Sequence, residues 1–325
     1  MTTDLLLRLR YNSGPLFALA VFLAMFIVFL SLHPRGLSVY VMTTAGNQGF
    51  GLALVAMAQT VAVLTAGLDL SVGSVLALSN CLASALVSGS PGEIVLGIVL
   101  VLLCGAGCGL LNGLIIVFGR IQPLIATLAT GAVYLGLALV IRPIPGGSVD
   151  EALSEALTYE TFGVVPTSLL ILLGIVLLVW LPYKNSKLGR GAYAVGTSEQ
   201  AALLSGVRVG RAKIAAYTLS GVFAATGGLY ISFQTLSGDA LIGPSYTLNS
   251  IAAVVIGGTS LFGGVGGVVG SIFGAYILRT INGLLFFAAV PPLAQPLFEG
   301  IVLLVAVGLG ALRVLKIRNR LELLA

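Results

Sequence analysis

The segment Gly67-Leu68-Asp69-Leu70-Ser71-Val72-Gly73-Ser74 places a carboxylate inside a glycine-bracketed turn, with an apolar run on either side. An ionisable side chain in such surroundings is costly and marks a working position, so Asp69 is the first residue to account for. Its carboxylate can accept backbone N–H groups beside Ser71 and cap a helix that resumes at Leu70, which favours an architectural role over direct substrate contact. A second polar stretch, Ser198-Glu199-Gln200-Ala201-Ala202-Leu203-Leu204-Ser205-Gly206, reads as a short amphipathic helix. Ser198 caps it, Ala202, Leu203 and Leu204 give it an apolar face, and Gly206 ends it. It lies within a basic segment running from Lys184 to Lys213, so on composition alone it suits a soluble partner or anionic lipid equally.

The elements that must hold these residues follow from composition. Of 325 residues 58% are hydrophobic, 8% are charged and 43 are glycine, which excludes a water-soluble domain. The apolar runs are continuous and of helix-spanning length, whereas a β-barrel would alternate in segments of about ten residues. The fold class is therefore all-α, a polytopic transmembrane protein forming a single transmembrane domain over 1–325. Taking about 20 residues per span, ten segments emerge: Leu16 to Leu32, Phe50 to Ala66, Val72 to Val87, Ile94 to Phe118, Pro123 to Ile141, Val164 to Leu181, Ile214 to Leu236, Asn249 to Gly257, Val265 to Val290 and Leu297 to Val314. The third and eighth are short and abut glycine-rich breaks, the pattern of discontinuous helices lining a cavity.

Orientation follows from the basic residues. With the N-terminus inside, Arg8, Arg10, Arg120, Lys184, Lys187, Arg190, Arg208, Arg211, Lys213, Arg313, Lys316, Arg318 and Arg320 all fall on the cytoplasmic face, and Asp150, Glu151, Glu155 and Glu160 fall outside. Both termini are then cytoplasmic, and the net charge of +5 calls for no nucleic acid. The first apolar run is too long for a signal-peptide core and reads as an uncleaved helix. Cys81, Cys104 and Cys108 read as small packing residues without metal-site companions, and His33 has no cysteine or carboxylate cluster beside it, so no metal site is expected. The phosphate-loop pattern is absent, and Gly263 to Gly270 fails the dinucleotide-loop spacing, so no catalytic residues are assigned. Gly67, Leu70 and Gly73 repeat the spacing of Gly258, Leu261 and Gly264, which hints at an internal duplication.

Three blocks carry a family resemblance: Gly67 to Ser74; Tyr193-Ala194-Val195-Gly196-Thr197-Ser198-Glu199-Gln200-Ala201-Ala202 ending at Ser205-Gly206; and Ala252-Ala253-Val254-Val255-Ile256-Gly257-Gly258-Thr259-Ser260-Leu261 followed by Gly263-Gly264. Together they resemble the signature blocks of bacterial ABC importer permeases for monosaccharides, of the ribose, xylose and galactofuranose type, which are distantly similar to branched-chain amino-acid permeases. The resemblance runs from about Gly46 to Val314. It implies a bacterial inner-membrane protein that works with a second permease chain, identical or homologous, a periplasmic sugar-binding protein and a cytoplasmic ATPase. The ATPase would carry ATP and Mg, leaving no cofactor on this chain, and would press on the Ser198 to Gly206 helix within the 184–213 coupling loop. The chain itself would be a transport subunit and no enzyme.

Under that reading the imported solute is a pentose or hexose, and unwound backbone with nearby hydroxyls, amides and rings would satisfy its hydroxyl groups. By position the pathway candidates are Asn47, Phe50, Gln59, Ser74, Asn80, Phe233, Tyr246 and Asn249, although polar residues in spans serve equally as helix–helix hydrogen-bond partners. The chain departs from the family at Arg279 and Glu299, opposite charges in the last two spans, where an intramembrane ion pair is the economical expectation. Branched-chain amino acids, nucleosides or a signalling furanose are alternative solutes. An ion-coupled secondary transporter is the alternative of another class, with Asp69, Arg279 and Glu299 as its candidate groups.

Overall fold

The computed structural model describes residues 13–294 and isolated positions between 297 and 308. Helices dominate the described residues: α1 (Ser13–Leu32), α2 (Val39–Val63), α3 (Val72–Leu86), α4 (Pro91–Phe118), α5 (Pro123–Ile141), α6 (Glu151–Thr158), α7 (Thr167–Asn185), α8 (Lys187–Thr197), α9 (Glu199–Leu204), α10 (Val209–Thr235), α11 (Gly243–Ile256) and α12 (Val268–Phe287). One small hairpin, β1 (Glu160–Thr161) with β2 (Val165–Pro166), lies between α6 and α7. Among the described residues six helices, α1, α4, α5, α7, α10 and α12, are long and apolar enough to cross a membrane, and the expected tenth segment, Leu297 to Val314, lies largely outside them. The protein is thus an all-α, multi-pass membrane protein.

Burial arranges these helices in two shells. In α1 only 6% of the spanning window is buried and its large side chains, Phe17 and Ile27 among them, face outward, as a lipid-contacting helix requires. In α10 the corresponding share is 67%. The innermost helix is α2, buried on every side from Gly49 to Val63 and packed by α10, α11 and α12. Its N-terminal part, Thr43, Thr44, Asn47 and Gln48, is too polar for hydropathy to mark as a span, which is why the helix begins eleven residues before the expected Phe50. Surrounded by protein rather than lipid, it does not need a uniformly apolar surface.

Glycine lets the inner helices approach closely. A Cβ at Gly109 of α4 would overlap the Tyr217 carbonyl of α10, and one at Gly221 of α10 would overlap the Gly105 carbonyl of α4. Without a hydrophobic drive in lipid, this backbone-to-backbone packing is the main source of helix association.

The third and eighth segments are broken spans. At 15 and 14 residues α3 and α11 reach only ~22 Å, well short of the ~30 Å hydrocarbon core. Each is completed by non-α-helical chain, 64–71 before α3 and 236–242, ending in a 3-10 turn at Ala240–Ile242, before α11. The two helix starts meet: a Cβ on Gly73 would overlap the Gly243 carbonyl, and one on Gly243 would press on the Gly73 carbonyl. Each glycine follows an aspartate by four residues, and each aspartate accepts the N–H two residues on, Asp69 from Ser71 at 3.0 Å and Asp239 from Leu241 at 2.8 Å. This pair of turns, one entered from the inner side and one from the outer, is the repeat that the geometry supports. The 258–264 loop shares the glycine spacing only: Gly258 and Gly264 have positive φ of 80° and 69°, whereas Gly73 is helical.

The connections alternate as the charge bias requires. On the outer side Gly146 bridges Gly238, and Arg142 donates to Ser84 from the far end of α5. On the inner side Gly264 N–H reaches the Leu64 carbonyl at 3.3 Å.

Candidate functional site

Three assemblies hold the residues of interest. The first surrounds Asp69. The helix resumes at Val72 instead of Leu70, with Ser71 as the cap residue. Asp69 therefore closes the turn that leads into α3: Oδ1 accepts the Ser71 N–H and the Ser71 hydroxyl, at 3.0 and 2.6 Å, and Oδ2 accepts the Ser220 hydroxyl of α10 at 2.9 Å. Ser71 in turn accepts from Asn112 of α4 at 2.8 Å, and Asn112 accepts from Thr130 of α5 at 2.6 Å. Thr127 of α5 accepts the Leu70 N–H. Asp69 is 2% exposed, so the turn is a sealed junction of four helices rather than a wall of a pathway. Gly67 packs under the Tyr217 hydroxyl and Pro123, and Ser74 faces Gly131 of α5.

The second assembly is an inner platform made of α8 and α9. Ser198 caps α9 by accepting the Ala201 N–H at 3.3 Å, and Gly206 ends it with a φ of 78° that an L side chain rarely adopts. Ala202 is buried against Val195 and Ala212, while Leu203 and Leu204 point outward, 65% and 89% exposed. The expected apolar face is thus split, one residue anchoring the helix and two projecting from it. Glu199 is paired with Lys213 of α10 at 2.7 Å, which fixes α9 to the bundle. Phe262 and Val265 of the 257–267 loop are also exposed. The platform is tied to both inner connections: Gly196 packs against the Leu64 carbonyl and the Gly264 N–H, and the Tyr193 hydroxyl donates to the Gly266 carbonyl at 2.9 Å. Load on α9 therefore reaches the end of α2 and the start of α12 through α8.

The third assembly is an open cavity of about 610 Å³, lined by both polar and aromatic side chains, at the outer ends of α1, α2, α10, α11 and α12. Gln48, Thr44, Gln234, Asn282, Arg279, His33, Tyr40 and Tyr246 supply its polar lining, and Phe29, Phe286 and Phe287 supply much of the rest. Its size falls in the ~300–1,000 Å³ range of small-molecule sites. Towards the inside α2 is buried from Gly49 onward, and the Phe50 and Tyr230 rings pack at 4.0 Å. The Tyr230 hydroxyl donates to Asn47 at 2.9 Å, and Asn47 donates to the Thr158 carbonyl of α6.

Of the eight pathway candidates, the structure puts Tyr246 on this cavity. Asn80 instead binds the second turn, accepting the Asp239 N–H at 2.7 Å and donating to the Gly228 and Ser237 carbonyls. Phe233 is buried beneath α6, whose Ser154 donates to its carbonyl, and Gln59 is wholly buried in α2. Asn249 is half-buried and engaged in polar contact. Arg279 faces the cavity, its guanidinium carbon 5.2 Å from the Tyr246 ring centroid, while Glu299 lies outside the described residues. Gln48, Gln234 and Asn282 also line the cavity, and each is an isolated polar residue in or beside an apolar run that the sequence does not single out. Only the packing shows which face of the helix they occupy.

Broken half-helices whose starts meet inside a multi-pass bundle, with an open cavity on one side and a protruding platform on the other, define a membrane permease. Residues 41–307 match the family described as the branched-chain amino acid transport system / permease component, and the chain belongs to that family. It is 39% identical over 258 residues to a ribose import permease of Bacillus subtilis, spanning 78% of this chain and 79% of that protein. A galactose/methyl galactoside import permease of Haemophilus influenzae is 31% identical, over 78% of this chain and 81% of that protein. An autoinducer 2 import system permease of Escherichia coli is 30% identical over 93% of this chain and 92% of its own length. No solved structure matches the chain.

Proposed function

We propose that this chain is the membrane-spanning subunit of an ATP-driven importer that carries a monosaccharide, a pentose or hexose, across the bacterial inner membrane. The similarity to ribose, galactose and autoinducer 2 import permeases supports the solute class. The observation that carries the mechanism is the α8–α9 platform, rigidly tied to both inner connections yet presenting Leu203 and Leu204 to the aqueous phase. Two adjacent leucines exposed on a helix fixed by an ion pair and a cap suit a protein groove better than solvent. A cytoplasmic ATPase holding ATP and Mg would dock there, a periplasmic binding protein would deliver sugar to the outer cavity, and a second permease chain would complete the pathway.

Reconstitution tests this directly. Vesicles with the permease, its ATPase and the binding protein should take up sugar only when ATP is hydrolysed, and Leu203→Asp with Leu204→Asp should end uptake while leaving the permease folded. Uptake by the permease alone, driven by a proton or sodium gradient, would overturn the reading. The structure favours no such coupling through Asp69, whose carboxylate is enclosed by Ser71 and Ser220 away from the cavity.

A further inference from the structure

The outer cavity contains a cation, and none of its described lining residues is a carboxylate. Arg279 lies eight residues, ~12 Å, before the end of α12 at Phe287. Its Nε is buried and has no hydrogen-bond partner among the described residues. An arginine at the centre of a span costs about 2.5 kcal/mol or more on insertion scales, and stacking on a tyrosine face offsets ~0.5–2 kcal/mol of that. The Tyr246 ring therefore steadies the guanidinium without neutralising it, and no carboxylate among the described lining residues offsets its charge. At the rim Arg35 adds a second cation, stacked 4.4 Å from the ring centroid of Tyr40, another lining residue. Gln48, Thr44 and Gln234 surround the cavity with neutral donors and acceptors of the kind that bind hydroxyl groups. A neutral sugar would use those groups and leave the charge unanswered; a sugar bearing an oxyanion would use both.

We propose that this cavity is a binding station for a monosaccharide carrying an oxyanion, a carboxylate or a phosphate, in which Arg279 takes the charged group and the amide and hydroxyl side chains take the sugar hydroxyls. The inference rests on the permease reading above and sharpens its solute class. Arg279 is the specificity-determining residue, and Arg35 raises the local concentration of anions at the mouth.

The test is direct binding to the full-length permease in nanodiscs, with D-ribonate, D-ribose 5-phosphate and D-ribose as probes and sodium acetate and inorganic phosphate as controls. The parent should bind at least one of the two anionic sugars about tenfold or more tighter than ribose, and which of them it prefers identifies the anionic group. Arg279→Gln should bring the three affinities together, and Arg279→Lys should retain part of the preference because it keeps the charge but loses the planar fork. Equal affinities in the parent, a measurement that needs no variant to fold, overturn the proposal. So does a preference that survives Arg279→Gln, or one that appears only in Glu299→Gln, which would show Arg279 satisfied within the protein. An anionic phospholipid that co-purifies with the parent and is lost from Arg279→Gln would reassign the charge to lipid and also overturn it. ATP-dependent uptake by the complete importer separates the two readings: ribose uptake indifferent to Arg279 sinks this inference alone, and uptake without ATP sinks both.

Discussion

The two aspartate turns share one design and differ in how they are enclosed. The turn at Asp69 is sealed, with three donors on its carboxylate and partners on α4, α5 and α10. The turn at Asp239 is half-buried and held chiefly by Asn80, and three residues into α11 the chain already lines the outer cavity at Tyr246. The inner turn is therefore suited to transmit a displacement from the platform, because it moves with four helices. The outer turn is suited to adjust around a solute. One local motif thus serves a rigid role and an adaptable one according to what surrounds it.

The largest expected effect removes what the turns have in common. Gly73→Leu or Gly243→Leu forces a side chain into the facing backbone, which cannot rotate away, so each should cost about 3 kcal/mol or more and collapse the yield of monodisperse permease. A variant whose melting temperature stays within a few degrees of the parent would show that the crossing is looser than described. Next, Asp69→Ala should be distinctly more damaging than Asp239→Ala. It leaves buried donors on Ser71 and Ser220 unpaired at about 1–3 kcal/mol each, whereas the half-buried Asp239 turn can turn to water. Asp69→Asn should be milder, since an amide oxygen still accepts from Ser71. Equal losses for Asp69→Ala and Asp239→Ala in thermal unfolding would mean that enclosure does not distinguish the turns. Asn80→Leu should selectively loosen the outer turn, by about 1–2 kcal/mol; hydrogen exchange should rise over 236–242 and stay unchanged over 64–71. The smallest effect belongs to Glu199→Gln, which breaks a pair whose carboxylate is more than half exposed and which is worth about 1 kcal/mol. It should lower ATPase coupling modestly with no measurable change in melting temperature.

Much of this was legible before any coordinates. Composition and run length gave the helical class and most spans, because lipid imposes a simple rule on every helix that touches it. The cap at Ser198 and the stop at Gly206 were readable because they depend on a few neighbouring residues. The start of α2 was not, since a helix enclosed by protein escapes the lipid rule and Thr43 to Gln48 look like a loop. The roles of Asn80 and Phe233 were hidden for a related reason: their partners are Asp239 and Ser154, 159 and 79 residues away. The pairing of Asp69–Gly73 with Asp239–Gly243 shows weakly in the sequence, as a shared aspartate-to-glycine spacing of four. It stands out once the two glycines are seen to touch.

The enclosure of α2 also bears on how the chain is made. Its neighbours α10, α11 and α12 begin at Val209, Gly243 and Val268, so α2 enters the membrane long before they exist. Meanwhile Asn47, Gln48 and Gln59 face lipid or water, and α2 is not among the six spanning helices, its apolar run beginning only at Phe50. Its retention in the bilayer must rest on the flanking α1 and on the later arrival of the C-terminal half. Chains truncated after α5 should therefore show α2 slipping out of the membrane in a glycosylation-mapping assay, and co-expressing the segment from α10 onward should restore it.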